Sequence, residues 1–308
     1  MTNITTAKLK KILATAETNV LGNTANYIPE LANVPEDLLA FTIQAIGDKP
    51  HTISNLEIPK MTLQSTSKLI PLIGLLEEQG ASTVFSWVKV EPSGDDFASV
   101  ARLDQFGPKA SNPMLNAGAI TLCSHIPGEG ETRLAWLHNW VSKLYGVDLN
   151  INNLVLTSER RTGDRNRSLA YLLKSQGNID ESVEETLELY FSLCSYEAFP
   201  EQLIGLPYLL ANDGINAEGQ RVISSETVKY TLAIMATCGL YNESGTHMVR
   251  TGMPAKSGVS GIILAVSPGK GAVVVASPKV NSKGNSIRGS IVLEQISNQF
   301  KWHFADPK

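Results

Sequence analysis

The sequence has few histidines and cysteines, and their spacing argues against several kinds of site. Its five histidines never cluster along the chain, standing at His51, His125, His138, His247 and His303. Neither a zinc site nor a serine–histidine–aspartate triad is therefore suggested. The three cysteines, Cys123, Cys194 and Cys238, are far apart and odd in number, which favours reduced, buried thiols over a disulfide framework. We expect no metal and no cofactor.

An excess of charge of one sign is also lacking. The 308 residues include 26 Lys and Arg against 30 Asp and Glu, and no basic stripe is visible, so nucleic acid is not an expected partner. No apolar run approaches the roughly 18 residues of a membrane span. The first residues lack the basic start and apolar core of a signal peptide. We therefore expect a cytoplasmic protein without a membrane partner.

Apolar periodicity predicts a helix and strands near the two ends of the chain. Residues 6–17 have helical spacing, with Leu9, Ile12, Leu13 and Ala16 on one face. Residues 38–46 read as a strand, and residues 289–300 read as a last helix. The strongest strand pattern is a pair of apolar runs, 261–267 and 272–276, joined by a Pro-Gly-Lys-Gly turn. Because both runs are continuously apolar, both faces of this hairpin should be covered. We expect the last helix to supply one cover and the first helix another.

Between the ends, from Ser65 to about Glu197, the patterns are mostly helical, and one of these helices is predicted to end at Gly146. We therefore predict an α+β fold, with an antiparallel sheet flanked by helices from both chain ends and an inserted, mostly helical lobe. Residues 1–62 and 200–308 are assigned to the sheet lobe, and residues 63–199 to the helical lobe. With 43% hydrophobic residues, the chain 1–308 can form such a single two-lobed catalytic domain.

The stretch Gln64–Lys68 carries the first sign of chemistry, because it opens an apolar helix that runs to Gly80. Ser65 and Lys68 are three residues apart and so share a helix face. The first N–H groups of a helix lack intrahelical partners and carry partial positive charge. Nucleophile, base and oxyanion donors can thus meet here. The simpler alternative is a Ser N-cap before a solvated Lys, and a second pair, Ser86-x-x-Lys89, shows that the spacing alone is not specific.

A second element of the same chemistry precedes the hairpin. Lys256-Ser257-Gly258 follows the Ser-x-x-Lys helix in the order found in penicillin-recognising serine hydrolases. Those enzymes have Ser-x-Asn between the two elements, whereas the candidate here is Met114-Leu115-Asn116. The missing serine, together with the missing export signal, argues against a β-lactamase or a transpeptidase.

Taken together, the motifs resemble the serine-dependent glutaminases, a bacterial branch that shares the β-lactamase/transpeptidase-like fold. The resemblance covers nearly the whole chain and rests on residues 27–31, 64–68, 91–94, 112–120, 158–159, 165–166, 238–241 and 254–261. Small departures are Thr66, where the family usually has Ile, and Ile262, where it usually has Gly. Neither is a candidate reacting group.

The resemblance implies hydrolysis of L-glutamine to L-glutamate and ammonia by a homo-oligomer, either a dimer or a tetramer. Ser65 would be the nucleophile, Lys68 its base partner and Tyr241 a second proton-transfer group. Tyr27 and Lys256 complete the predicted catalytic set. The substrate pocket would be lined by Ser65 and Tyr241 together with Tyr27, Asn116, Glu159, Asn166, Tyr190 and the backbone of Val259.

A serine nucleophile requires a base in its unprotonated form and hydrogen-bond donors for the oxyanion. A lysine with a pKa of about 10.4 is a poor base, so burial or repulsion from Lys256 must lower the pKa of Lys68. The backbone N–H groups of Ser65 and Val259 are the natural oxyanion donors.

Glu159 is expected to face the substrate ammonium. One methylene is worth only about 1–3 kcal/mol, so the preference for glutamine over asparagine rests on the resemblance.

Two other functions remain open at this point. One is a cytosolic β-lactamase-like serine esterase or peptidase, which would keep Ser65, Lys68 and Lys256 but needs a different middle motif. The other is a non-catalytic amino-acid-binding protein on the same fold. Since Ser65, Lys68 and Tyr241 are all present, the sequence favours an enzyme.

Overall fold

A computed structural model describes residues 4–93, 109–179 and 182–306, and an antiparallel sheet drawn from both chain ends lies at its centre. Its strands are β2 (Ala40–Ala45), β3 (His51–Ser54), β7 (Ala255–Ser257), β8 (Ile262–Ser267) and β9 (Gly271–Ala276). The order across the sheet is β3-β2-β9-β8-β7. The predicted hairpin is confirmed, because β8 pairs antiparallel with β9. Strand β2 completes the centre by pairing along the other edge of β9.

The two faces of the hairpin are covered in a way that the sequence did not predict. On one face, Ile263 and Val273 pack against α1 (Thr6–Glu17) and α13 (Ile287–Phe300), which contact each other. The other face, with Leu264 and Val274, belongs to the core of the helical part. The prediction that the first and last helices cover opposite faces was wrong. A continuous apolar run predicts that both faces of a strand are buried, because successive side chains point to opposite faces. The run does not show which element covers each face.

Helices dominate the segment between β4 (Met61–Thr62) and β6 (Tyr196–Ala198). In chain order they are α3 (Leu69–Trp87), α4 (Asn116–Ser124), α5 (Glu131–Tyr145), α6 (Asn153–Thr162), α7 (Asp164–Ser175) and α8 (Val183–Ser195). Strands β4 and β5 (Asn150–Ile151) flank β6 in a small sheet. One cluster of buried apolar side chains joins these helices to the main sheet. The division into lobes at residues 62 and 200 therefore stays a prediction.

The chain then returns to the main sheet through short helices. These are α9 (Pro200–Leu203), α10 (Gly205–Ala211), α11 (Ser225–Cys238) and α12 (Ser244–Thr251). Helix α10 packs on β8 and β9. Near the N-terminus, β1 (Asn23–Thr24) pairs with β10 (Lys279–Val280), and α2 (Pro29–Ala32) follows. In the ranges that the structure describes, no helix is both long and apolar enough to cross a membrane. Gly94 of the 91–94 motif lies outside those ranges.

Several details of the predicted elements are confirmed. The four side chains predicted for one face of α1 are the ones it buries: Leu9, Ile12, Leu13 and Ala16. Helix α5 ends at Gly146 in the left-handed conformation, with φ at 72°. Gly80, the predicted end of the helix after Lys68, interrupts α3 with φ at 76°. The three cysteines are buried free thiols. Local spacing and glycine chemistry were thus sufficient for these features.

Helix α11 ends at Gly239, and there its backbone lies close to that of strand β7. A β-carbon at Gly239 would lie 1.7 Å from the backbone oxygen of Ala255. Relieving that clash requires a shift of helix or strand, so we expect Gly239→Ala to lower the free energy of unfolding by about 3 kcal/mol. Gly245 in α12 is the matched control, because a β-carbon there meets nothing within 4 Å. Gly245→Ala should raise stability by about 0.5 kcal/mol. Urea unfolding of both variants measures the difference, and similar small changes would contradict the close approach.

Candidate active site

A cavity of about 370 Å³ collects most of the predicted site residues. Its lining consists of Ala25, Tyr27, Gln64, Ser65, Asn116, Glu159, Thr162, Gly163, Arg165, Asn166, Tyr190, Cys194 and Val259. Seven of these were predicted from the sequence, and they come from segments between Tyr27 and Val259. The cavity lies beside the helix start that carries Ser65. The other three predicted residues, Lys68, Tyr241 and Lys256, are not part of this lining.

Ser65 lies in a 3₁₀ turn, Gln64–Lys68, that leads directly into α3. Gln64, just before it, has φ at 46°, a left-handed conformation that few residues other than glycine adopt. The hydroxyl of Thr66 donates to the Leu63 carbonyl at 2.7 Å, and the hydroxyl of Ser67 donates to the Gln64 carbonyl at 2.7 Å. These two hydrogen bonds hold the backbone of the turn around Ser65. Ser65 itself lies at the cavity wall and is 8% exposed.

Lys68 is buried, so the alternative of a solvated lysine is wrong. Its Nζ donates to the Met114 carbonyl at 3.0 Å and to Asn116 Oδ1 at 2.7 Å. Asn116 in turn donates through Nδ2 to Asn166 Oδ1 at 2.9 Å. Burial lowers the pKa of Lys68 to about 8. Lys68 thus ends a polar chain that reaches the cavity through two asparagines. In contrast, Ser86 of the second Ser-x-x-Lys pair bonds the Thr83 carbonyl on the protein surface.

Lys256 is also buried, although it lies on the outermost strand of the sheet. Its Nζ donates to the carbonyls of Gly239 and Ser257, at 3.2 and 2.6 Å. The same nitrogen lies 4.7 Å from the centre of the Tyr241 ring. Burial and then the positive charge of Lys68 hold the pKa of Lys256 well below its ordinary value. Burial is therefore the leading cause of the lowered pKa at both lysines, and repulsion between the two charges adds to it.

Glu159 forms the centre of a second polar group on the cavity wall. The Tyr27 hydroxyl lies 2.6 Å from Glu159 Oε1 and 2.7 Å from Gln64 Oε1. Gln64 Nε2 also donates to Glu159 Oε1 at 3.1 Å. Burial raises the pKa of Glu159, and the bonds from Tyr27 and Gln64 oppose that rise. Glu159 is 4% exposed, so it is not a solvated surface carboxylate.

The strand end after β7 runs against the turn of Ser65. A β-carbon at Gly258 would lie 3.4 Å from the backbone nitrogen of Ser65 and 2.9 Å from the Leu63 carbonyl oxygen. Only a residue without a side chain fits this approach comfortably. The next residue, Val259, lines the cavity. The two predicted oxyanion donors therefore belong to segments in direct contact.

Tyr241 occupies a 3₁₀ turn, Tyr241–Glu243, with φ at 51°. It lines a small neighbouring cavity with Met114 and Leu115, rather than the cavity of Ser65. A β-carbon at Gly284 would lie 3.4 Å from the Tyr241 ring and 3.2 Å from Val259 Cγ1, so ring and strand end are neighbours. The proton relay between Tyr241, Lys68 and Ser65 stays a prediction.

Tyr190 and Cys194 lie one helical turn apart on α8, and both line the cavity. Burial raises the pKa of both the Tyr190 phenol and the Cys194 thiol well above their ordinary values. Tyr190 was predicted as a site residue, whereas Cys194 was predicted only to be a buried thiol. Gln64 was also missed as a site residue. Its place directly before Ser65 in the 64–68 motif was the available signal.

Comparison with known proteins adds independent information. The sequence matches the family model for glutaminase over residues 22–304. A glutaminase of Legionella pneumophila strain Philadelphia 1 is 62% identical over 305 residues, which is 99% of this chain and 98% of that protein. The structure of the probable glutaminase ybaS has a TM-score of 0.92 and 32% identity, covering 99% of this chain and all of that one. Mglu in its L-glutamate binding form, in the presence of 4.3 M NaCl, has a TM-score of 0.90 and 29% identity, covering 97% of this chain and 67% of that one.

Proposed function

Because this chain belongs to the glutaminase family, we propose that Ser65 is the nucleophile with which it hydrolyses L-glutamine to L-glutamate and ammonia. Its sheet and flanking helices form the β-lactamase-like fold of its glutaminase neighbours. The family interpretation of the sequence is confirmed, and the esterase and amino-acid-binding alternatives are set aside. The assignment of roles to individual residues is our proposal.

The proposed first step is attack of the Ser65 hydroxyl oxygen on the side-chain amide carbon of glutamine. The hydroxyl proton passes to the free amine of Lys68, directly or through Tyr241, and is then delivered to the departing nitrogen, which leaves as ammonia. Water hydrolyses the resulting Ser65 ester to glutamate and restores the hydroxyl. The observation that supports this route best is a buried lysine with a pKa of about 8, three residues after a serine on the cavity wall.

Backbone donors and a second lysine would assist this step. The backbone N–H groups of Ser65 and Val259 would receive the oxyanion, and the close approach of Gly258 to Ser65 supports that pairing. Lys256 would act through its charge, because a proton on either buried lysine disfavours a proton on the other. The loss of one oxyanion donor typically lowers the rate by about 10²–10³-fold.

Substrate recognition would divide between the two polar groups of the cavity. Glu159 would pair with the α-ammonium of glutamine, with its carboxylate oriented by Tyr27 and Gln64. The substrate carboxylate and amide would bond to Asn116, Asn166 and Tyr190. Mglu, whose fold this chain shares, is described in an L-glutamate binding form, which supports a pocket that accepts the product as well.

Glu159→Gln tests the ammonium contact. We expect kcat/KM for L-glutamine to fall about 100-fold, because a charged hydrogen bond contributes about 1.5–3 kcal/mol. Glutaramate, which is glutamine without its α-ammonium, should be hydrolysed by the variant and the unmodified enzyme at rates within about threefold, since the bond to Glu159 is absent from both. Ammonia release measures both substrates.

The matched control is Glu188→Gln, which removes a surface carboxylate that pairs with Arg160. It should leave kcat/KM for glutamine unchanged. An equal loss for glutamine and glutaramate in Glu159→Gln would mean that Glu159 supports the cavity without contacting the ammonium.

We also propose that the enzyme works in the cytoplasm as a homo-oligomer, either a dimer or a tetramer, and that it prefers glutamine to asparagine. Three buried free thiols suit a reducing compartment. Assembly and substrate preference rest on the resemblance to the family. Sedimentation equilibrium and a comparison of the two amides test them directly.

A further inference from the structure

One buried side chain, Asn285, connects the turn of Tyr241 to strand β7. We propose that Asn285 is a positioning residue for proton transfer by Tyr241, acting together with Glu243. This inference rests on the proposed role of Tyr241 in catalysis and adds to it the device that holds the phenol in place.

Asn285 is 1% exposed and has bonded partners on two separate segments. Its Oδ1 accepts a hydrogen bond from the Ser257 hydroxyl at 2.5 Å. Its Nδ2 donates to the Leu240 carbonyl at 3.2 Å and to Glu243 Oε2 at 2.5 Å. Leu240 and Glu243 flank Tyr241 on both sides, and Ser257 ends β7 next to Lys256. A single amide thus joins the strand to the turn.

The turn needs such a connection because Tyr241 has φ at 51°. A bulky residue in this left-handed region is held there only when its surroundings fix it. Asn281 gives Glu243 a second bond, from its Nδ2 at 2.8 Å. The Nζ of Lys256 lies 4.7 Å from the centre of the Tyr241 ring, and a β-carbon at Gly284 would lie 3.4 Å from the ring. The loop 281–285 therefore bonds to the backbone and the carboxylate of the turn and runs beside its aromatic ring.

The Ser257 hydroxyl shows how the Lys-Ser-Gly element is used here. Ser257 is fully buried, and its hydroxyl bonds to Asn285. Lys256 donates to the Gly239 carbonyl, just before the same turn. Both side chains of the element therefore anchor the segment that carries Tyr241. The residues proposed to bind the substrate amino acid lie on other elements, namely Asn116 on α4, Glu159 on α6, Asn166 on α7 and Tyr190 on α8.

The sharpest variant is Asn285→Asp, which keeps the acceptor for Ser257 and nearly the same shape. It replaces the Nδ2 donor by an oxygen that faces the Leu240 carbonyl and the Glu243 carboxylate. We expect kcat to fall by about 30–100-fold, because small displacements of a reacting group have effects of this size. KM should stay within about threefold, since the substrate contacts are unchanged. Lys283→Ala, at an exposed position of the same loop, should leave kcat and KM unchanged.

Adding Glu243→Gln to Asn285→Asp should return kcat to within about tenfold of the unmodified enzyme, because the new amide can donate across the same contact and the repulsion is gone. If Asn285→Asp does not fold, Glu243→Gln alone tests the proposal. It should lower kcat by about threefold to tenfold at unchanged KM, since the contact then loses its charge.

A double-mutant cycle with Tyr241→Phe separates this inference from the role proposed for Tyr241. If Asn285 acts through the phenol, Asn285→Asp should have little further effect once the hydroxyl is gone. Independent, multiplicative losses would overturn the positioning role, as would an unchanged kcat in folded Asn285→Asp. A Tyr241→Phe variant with full activity would instead overturn the role of Tyr241 itself.

Discussion

Ser65→Ala is expected to lower kcat for glutamine hydrolysis by about 10⁴-fold or more, because loss of the nucleophile removes the covalent route. The side chain is small and lies at a cavity wall, so the variant should fold with unchanged thermal stability. Ser86→Ala is the matched control, since it alters the serine of the other Ser-x-x-Lys pair at the surface. That control should retain full activity.

Binding and trapping experiments complete the test of Ser65. Calorimetry should find L-glutamate bound by Ser65→Ala with an affinity within about tenfold of the unmodified enzyme, because Glu159 and the asparagines remain. A diazoketone analogue of glutamine should label the peptide that contains Ser65, as read by mass spectrometry. Labelling of another residue, or activity in Ser65→Ala above one hundredth of normal, would argue for a different nucleophile.

Lys68→Met is expected to lower kcat by about 10³-fold, within the range that a general base contributes. The unmodified enzyme should show kcat/KM rising with pH and levelling off above about 8, where burial has moved the pKa of Lys68. Only the free amine can accept the serine proton. Lys89→Met, at the exposed lysine of the second pair, should change neither the rate nor the pH profile. A flat profile between pH 6.5 and 9 would exclude Lys68 as the base.

The same pKa shift has a consequence for stability. Below pH 8 Lys68 is protonated in the folded and unfolded states alike, and burial of its charge opposes folding. Between about 8 and 10.5 the folded protein loses this proton first, so stability should rise with pH by about 3 kcal/mol over that window. Thermal unfolding at pH 7.5 and 9.5 measures the slope. Lys68→Met should flatten it in part, leaving the share that comes from Lys256.

The sequence alone was sufficient where the decisive forces are local. The buried face of α1, the 261–276 hairpin and the stop at Gly146 each follow from spacing or from glycine chemistry within a few residues. The cover of the hairpin was predicted wrongly, because it depends on which distant helix reaches each face. Seven cavity residues were predicted, but through the family resemblance and not from the local pattern around each one.

What the sequence did not reveal depends on contacts between distant segments. Glu159 accepts hydrogen bonds from Tyr27 and Gln64, which are remote from it along the chain. Lys256 lies on the outermost strand of the sheet, yet its amine donates to a carbonyl of its own strand and to the carbonyl of Gly239. The residue before the left-handed Tyr241 is bonded by Asn285, 45 positions after it. No local pattern encodes such pairings.

The position of β2 in the main sheet has a consequence for how the protein is made. Ala40 pairs with Ala276 and Ala45 pairs with Gly271. The residues that pair with β2 on this edge are therefore synthesised more than two hundred residues after it. During translation this apolar segment has no final neighbour on that edge and is open to wrong pairings. Folding that depends on such distant contacts is slow. A ribosome that stalls before residue 271 therefore leaves a nascent chain in which one edge of β2 has no strand to pair with.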